Sequence, residues 1–329
     1  MIKELLLCGL VSAILSSIAG YITIPLLSKI KAGQPILKYV ESHKQKNGTP
    51  TMGGLFFILS AVIVFYIFNG FKGRISTVIV IIGLSYMVVG FLDDFIKIRY
   101  KKNEGLKAYQ KIIFQLFIAI FAGVFCYRNG LTVIYLPFVK RTVDIGVFII
   151  PLVVFIFIAT TNSVNLTDGL DGLAGSVSVV YLFFIIVVIY LEITNFNFLY
   201  IREEEYLSII TLAISLMGAL IGFLFFNSYK ASVFMGDTGS LSLGGFIGGI
   251  SIFSSNSLFI PILGALFVVS SVSVIIQVVY FKATNGKRVF LMAPLHHHLQ
   301  LKGHSESKIS FYYSVITGIL GVFCVIFYI

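Results

Sequence analysis

Charge is scarce in this 329-residue chain: Asp, Glu, Lys and Arg together make up 12% of it, about half the share usual in a soluble globular domain. With 58% hydrophobic residues and a mean hydropathy of +0.99, that deficit excludes an ordinary soluble fold and points to a polytopic membrane protein. Cysteine is scarce too. Cys8, Cys126 and Cys324 lie in apolar runs without CxxC or other ligand spacing, which leaves inert thiols rather than a disulfide framework or a zinc site. A basic leader is also missing: only Lys3 and Glu4 precede the first apolar run, and Lys29 and Lys31 follow it. The start therefore reads as a first transmembrane helix, not a cleavable signal peptide. No internal repeat or low-complexity linker interrupts the chain, so one integral-membrane domain over residues 1–329 is expected.

What is present is a series of long apolar runs. A bilayer crossing takes about 20 mostly apolar residues, and by that measure about ten spans are expected, at 4–27, 53–71, 76–92, 109–127, 145–161, 173–192, 207–226, 239–254, 258–281 and 309–328. The eighth is short and rich in glycine. Basic residues orient the bundle. With the N-terminus outside, most of the 24 lysines and arginines fall in inside loops, and both termini face outward. The fold expected is thus all-α and polytopic, with both termini outside. Two outer segments carry further structure: TVIYLPFVKRTVD (132–144) alternates as a hairpin does, and NFNFLYIREEEY (195–206) suits a short interfacial helix. Inside, KRVFLMAPLHHHLQLKG (287–303) is suited to lying along the membrane surface.

Ionisable groups are nearly absent from the middle of the spans, where a transporter or flippase would carry them. The six aspartates are distributed differently: five, all but Asp144, fall at inside ends of spans in three separate segments. Asp93 and Asp94, in FLDDFIKIR, end a helix whose macrodipole disfavours anions by about 0.3–1 kcal/mol each. A solvated helix end balanced by Lys97 and Arg99 accounts for the pair if it is taken alone; a divalent cation or phosphate chemistry accounts for its placement better. In TNSVNLTDGLDGLAG (161–175), Asn162, Asn165, Asp168 and Asp171 recur every third residue and form one polar stripe on a helical turn. Helix capping needs one such residue, not four in register, and the glycines leave backbone N–H groups open to an anion. Asp237, between Gly236 and Gly239 in FMGDTGSL, can cap a helix or bind metal. APLHHHLQLKGH places three of the five histidines, His296, His297 and His298, in a row. Three consecutive imidazoles cannot readily share one metal, but they can donate to phosphates. HKQKNGTPTMGG (43–54) adds Lys44, Lys46 and a Gly/Thr/Pro turn on the same face.

Together these segments resemble the phospho-N-acetylmuramoyl-pentapeptide transferase family, within the polyprenyl-phosphate N-acetylhexosamine-1-phosphate transferase superfamily. GTPTMGG (48–54), DDFIK (93–97), NSVNLTDGLDGLAG (162–175), VFMGDTGSL (233–241) and HHH (296–298) occur in the family's order. The pairing of NLTDGLDGLA with MGDTGSL is specific. The resemblance implies a ten-helix bacterial cytoplasmic-membrane enzyme, usually a homodimer, with a cytoplasmic active site and both termini periplasmic. It implies transfer of phospho-N-acetylmuramoyl-pentapeptide from UDP-MurNAc-pentapeptide to undecaprenyl phosphate, giving lipid I and UMP with Mg2+, and sensitivity to uridine-containing nucleoside inhibitors. No nucleic-acid partner is expected. By the same resemblance Asp237 is the magnesium ligand, and Asp93, Asp94, Asp237, Lys97, His296, His297 and His298 are the catalytic set. Lys46, Thr49, Asn162, Asn165, Asp168, Asp171, Asn227, Phe234 and Lys107 are the substrate-binding set, the uridine pocket matching Lys46, Asn165, Asp168, Asp171, Asn227 and Phe234. Gln300 departs from the family pattern, which has an acid there, and His304 from a frequent tryptophan. Direct attack by the lipid phosphate, assisted by Asp93 or Asp94, and a covalent phospho-sugar intermediate on an aspartate both remain open at this stage. So does the sister reaction, transfer of GlcNAc-1-phosphate to the same carrier, although the unbroken histidine row favours the muramoyl branch.

Overall fold

The structure is a computed structural model and describes residues 2–29, 48–100, 105–194 and 201–328. Its architecture is a bundle of helices: α1 (Ile2–Lys29), α2 (Gly54–Asn69), α3 (Arg74–Tyr100), α4 (Ala108–Arg128), α5 (Ile149–Thr167), α6 (Leu173–Thr194), α7 (Glu203–Asn227), α8 (Gly236–Phe253), α9 (Ile260–Leu263), α10 (Ala265–Ala283), α11 (Leu295–Leu301) and α12 (Glu306–Tyr328). Eight helices of the described residues are long and apolar enough to cross a membrane; α2 is apolar but shorter. The protein is an all-α polytopic membrane protein.

Of the ten expected spans, the two outside these eight are α2, which is short, and α8. Every residue of α8 except Asp237 is buried, so its glycines and serines face protein rather than lipid and need no continuous apolar surface. α3 and α5 pack closely along it, with α2 at its start, and Ser242 donates to the Gly83 carbonyl of α3 at 2.8 Å. The expected ninth span, 258–281, is broken. A 3-10 turn at Ser257–Phe259 leads into α9, with Pro261 in its first turn, and the chain restarts after Gly264 as α10.

At the end of the bundle away from Asp93, Asp94 and Asp237, the expected hairpin forms from β1 (Val133–Leu136) and β2 (Arg141–Asp144), antiparallel with Val133 opposite Asp144. The separate interfacial helix expected over 195–206 does not form in its described part. Glu203–Tyr206 instead open α7, because the buried Glu205 carboxylate accepts the Arg74 and Ile75 N–H groups (3.1 and 3.0 Å) and so caps α3. Residues 195–200 and Lys46 lie outside the described residues.

Candidate active site

Helix ends from across the bundle meet at the opposite pole, and α8 organises them. Its start is clamped by the GTPTMGG segment: Phe234 N–H donates to Pro50 O (2.8 Å), Gly53 N–H to Phe234 O (2.9 Å) and Gly54 N–H to Met235 O (3.0 Å). Gly236 turns the chain at φ +70°, a left-handed conformation costly for residues with a Cβ. The first N–H groups of α8 have no cap from their own segment. Asp94 of α3 supplies it, accepting Asp237 N–H (3.3 Å), Thr238 N–H (2.9 Å) and the Thr238 hydroxyl (2.7 Å). A carboxylate placed there also meets the positive end of the α8 dipole. The approach is possible because residue 90 is glycine; any Cβ there would overlap the Asp237 carbonyl.

With its backbone held in this way, the Asp237 carboxylate has both oxygens engaged. Asn165 of α5 donates to Oδ1 at 2.7 Å and also reaches Ser240 Oγ at 2.8 Å. Lys111 of α4 and Lys97 of α3 both approach Oδ2, at 2.6 and 3.2 Å. The same Lys97 ammonium lies 2.6 Å from Asp93 Oδ2 and 3.8 Å from Asp94 Oδ1. Asp93 Oδ1 accepts the Leu106 N–H at 2.9 Å. One oxygen from each of Asp93, Asp94 and Asp237 lies within 4.8 Å of the others. The three carboxylates therefore converge as a hard, all-oxygen donor set suited to Mg2+-like ions, and an ammonium group already sits among them. Asp94 is the most committed to backbone donors, which leaves Asp237 and Asp93 the freer ligands.

A second group borders this one. Asp168 ends α5 and is half-buried, and no hydrogen bond or ion pair engages its carboxylate among the described residues. Its pKa is raised well above the usual carboxylate range, first by burial and then by the charges of Asp237, Asp94 and Asp171. The sign for stability follows: the folded state holds a proton where the unfolded chain has lost it, so this contribution fades as pH rises from the ordinary carboxylate value through the raised one. Asp168→Asn removes the repulsion. It is expected to raise the melting temperature at neutral pH by about 2–4 °C, the shift of a ~1 kcal/mol gain, while lowering any activity that needs the charge; thermal unfolding and a transfer assay on one preparation check both halves.

The adjoining turn is tied down by its neighbours. Asp171 Oδ2 accepts Ala231 N–H (3.1 Å), Glu306 Oε2 accepts Asp171 N–H (3.1 Å), and Asn227 accepts Gly172 N–H (3.1 Å) while donating to Val233 O (2.9 Å). His296 and His297 of α11 reach the same turn. A Cβ on Gly169 would overlap His296 Nε2 and stand 3.0 Å from His297 Nε2. His296 is fully buried, with neither ring nitrogen hydrogen-bonded among the described residues, and burial followed by the neighbouring His297 lowers its pKa to about 3. It is a neutral imidazole across the physiological range.

The structure thus brings Asp93, Asp94, Lys97, Asn165 and Asp237 into one network, with Asp168, Asp171, Asn227, His296 and His297 along its edge. Phe234 contributes through its backbone clamp on Pro50, beside Thr49. Three expected residues face elsewhere. Asn162 leaves the stripe to donate to Gln115 Oε1 of α4 at 2.8 Å. Lys107 is exposed, and its N–H donates to Gln110 Oε1 in the capping box of α4. His298 accepts Leu291 N–H through Nδ1 at 3.1 Å, bracing the segment before α11. Lys111, Thr238, Ser240 and Glu306 were not expected. No local signal separates Lys111 from Lys107, the exposed N-cap four residues before it.

A multi-pass helical bundle whose carboxylates and lysines converge at one pole is a membrane protein equipped to bind metal ions and phosphorylated groups. The Glycosyl transferase family 4 model matches residues 76–255, and phospho-N-acetylmuramoyl-pentapeptide-transferase signature 1 matches residues 46–58. The chain is 44% identical over 314 residues to the phospho-N-acetylmuramoyl-pentapeptide-transferase of Clostridium novyi (strain NT), covering 94% of this chain and 93% of that one. It is 45% identical to the enzyme of the same name from Clostridium botulinum (strain Alaska E43 / Type E3), covering 97% and 96%. With its counterpart in Thermoanaerobacter sp. (strain X514) the identity is 40%, covering 96% of each chain. The chain belongs to the phospho-N-acetylmuramoyl-pentapeptide-transferase family, a family of bacterial membrane enzymes.

Proposed function

We propose that the chain, acting as one domain in the bacterial cytoplasmic membrane with both termini outside, transfers phospho-N-acetylmuramoyl-pentapeptide from UDP-MurNAc-pentapeptide to undecaprenyl phosphate. The products are lipid I and UMP. The observation that carries this reading is the Asp93–Lys97–Asp237–Lys111 network at the inner ends of α3, α4 and α8. Both substrates are anionic, so neutralising and aligning them is most of the catalytic task. Five aspartates border the site, and Lys97 and Lys111 are the ammonium groups engaged with Asp237. The two substrates need further positive charge to join them, which favours a divalent ion. Asp237 would hold Mg2+ with help from Asp93, and the ion would supply charge neutralisation at the diphosphate.

The residues of the chain then divide the work. Lys97 and Lys111 shift from Asp237 toward phosphate oxygens. Asp93, fixed by Leu106 N–H, faces the acceptor phosphate and takes its last proton or positions it. An alkyl phosphate is already mostly ionised at neutral pH, so that help is modest. Lys46, Asn165, Asp168, Asp171, Asn227 and Phe234 form the nucleotide side, with Thr49, Asn162 and Lys107 as its outer contacts, and His296, His297 and His298 border the diphosphate. Homodimerisation and sensitivity to uridine-containing nucleoside inhibitors belong to the same proposal, on the strength of family membership.

Purified protein in lipid, given labelled UDP-MurNAc-pentapeptide and undecaprenyl phosphate, is expected to move label into the lipid phase only with Mg2+ present. Labelled UDP-GlcNAc is expected to give at most a trace. Preference for UDP-GlcNAc would replace this reading with the sister reaction. A phospho-sugar adduct trapped on Asp93 or Asp94 would replace direct attack with the covalent route.

A further inference from the structure

A chain of hydrogen bonds joins α12 to the histidine helix and ends on one ring nitrogen. Glu306, in the first turn of α12, is buried. Its Oε2 accepts the Asp171 N–H at 3.1 Å and its Oε1 accepts the Gln300 side-chain amide at 3.3 Å. A carboxylate offers only acceptors, so Gln300 must turn its NH2 toward Glu306, and its carbonyl oxygen then points the other way. That oxygen lies 3.2 Å from His297 Nδ1. An amide oxygen cannot donate, so the proton of this bond belongs to His297.

We infer that Glu306 is a positioning residue which, through Gln300, holds His297 in the Nδ1–H form and directs its unprotonated Nε2 toward the Asp168–Gly169 turn. The inference rests on the proposed transfer reaction only for its consequence, not for its geometry. In the neutral ring, Nε2 is an acceptor; it becomes a donor to a phosphate oxygen only once the ring takes up a proton. The same carboxylate holds the backbone of the Asp171 turn, so one buried side chain sets the orientation of His297 and the placement of the loop beneath it. Metal ligands are oriented by comparable outer hydrogen bonds, whose loss typically costs 10–100-fold in affinity or activity; here the oriented group is an imidazole. Residue 300, two after the histidines, is an amide, and the charge it lacks is supplied by Glu306 from another helix.

The tautomer is directly measurable. Full-length protein labelled with 15N-histidine in lipid bilayers, with His297 assigned by loss of its signals in His297→Gln, is expected to show a protonated Nδ1 and an unprotonated Nε2 above the ring's pKa. Free histidine prefers the reverse. Glu306→Gln is nearly isosteric but puts an amide where two donors converge, so Gln300 should rotate and donate to Nδ1, moving the proton to Nε2. Gln300→Leu should likewise release the Nδ1–H form. In both variants kcat for lipid-linked product is expected to fall about 10–100-fold with the KM for the nucleotide sugar changed less than threefold. Gln300→Asn, one methylene short of His297, should not restore the Nδ1–H form. An Nε2–H ring in the unmodified protein, or the same tautomer in Glu306→Gln as in the parent, overturns the inference. Because the spectrum needs no turnover, a protein that shows the predicted tautomer but fails to transfer would count against the proposed reaction and not against the relay.

Discussion

Asp237→Asn is expected to lower lipid-linked product formation by about 10³-fold or more while leaving the protein folded. The side chain is close in shape, and Asn165 can still engage the retained amide. What is lost is the charge on which Lys97 and Lys111 converge at 3.2 and 2.6 Å and on which the proposed Mg2+ would rest. Removing one pre-set electrostatic partner of a developing oxyanion typically costs about 10²–10³ in kcat, and here the metal's neutralising charge would go with it. The assay is radiolabelled transfer at saturating Mg2+, paired with thermal unfolding of the same preparation. Retention of a tenth of the parent activity would remove Asp237 from the centre of the site.

Asp93 and Asp94 are expected to separate in the opposite way. Asp94→Ala should cost folded yield and lower the melting temperature by on the order of 10 °C, because three donors at the buried start of α8 lose their acceptor. A buried donor left unpaired costs about 1–3 kcal/mol, and for a chain of roughly 150–250 residues each kcal/mol moves the midpoint by about 2–4 °C. Asp94→Asn should recover part of that loss, since its amide oxygen can still accept. Asp93→Ala removes an acceptor for one backbone N–H and one partner of Lys97, so its melting temperature should stay within a few degrees of the parent while transfer falls steeply. Equal stability losses for the two alanine variants would defeat this division of labour, which makes Asp94 the anchor and Asp93 the group facing the acceptor.

The two acids show how far the motif could be read. Their adjacency, and their place at the end of an apolar run, mark both as unusual. Nothing in FLDDFIKIR distinguishes them, because the distinction depends on what stands opposite. Neighbouring residues on a helix point about 100° apart, and α8, more than 140 residues later, lies on the Asp94 side. The stripe Asn162, Asn165, Asp168, Asp171 was legible as a period of three, but that spacing holds only while the chain stays helical. α5 ends at Thr167, so the last two members leave its face, and Asn162 finds Gln115 on α4. Lys111 was counted only toward the orientation of the bundle. Its role at Asp237 depends on α4 starting beside α3.

Composition alone determined that the chain lives in a membrane, because a bilayer admits only apolar surface and that demand is written into every span. Alternation of runs and basic loops set the number and order of most helices and the pole at which the acids gather. Motif spelling was specific enough to carry the family, since those side chains are constrained by chemistry and not by packing. The tertiary structure decided what depends on distance across the bundle: that a glycine-rich segment is the buried central helix, that Asp94 caps it from α3, and that Glu306 reaches the histidines from α12. These contacts join residues far apart in sequence, and no local period records a partner on another helix.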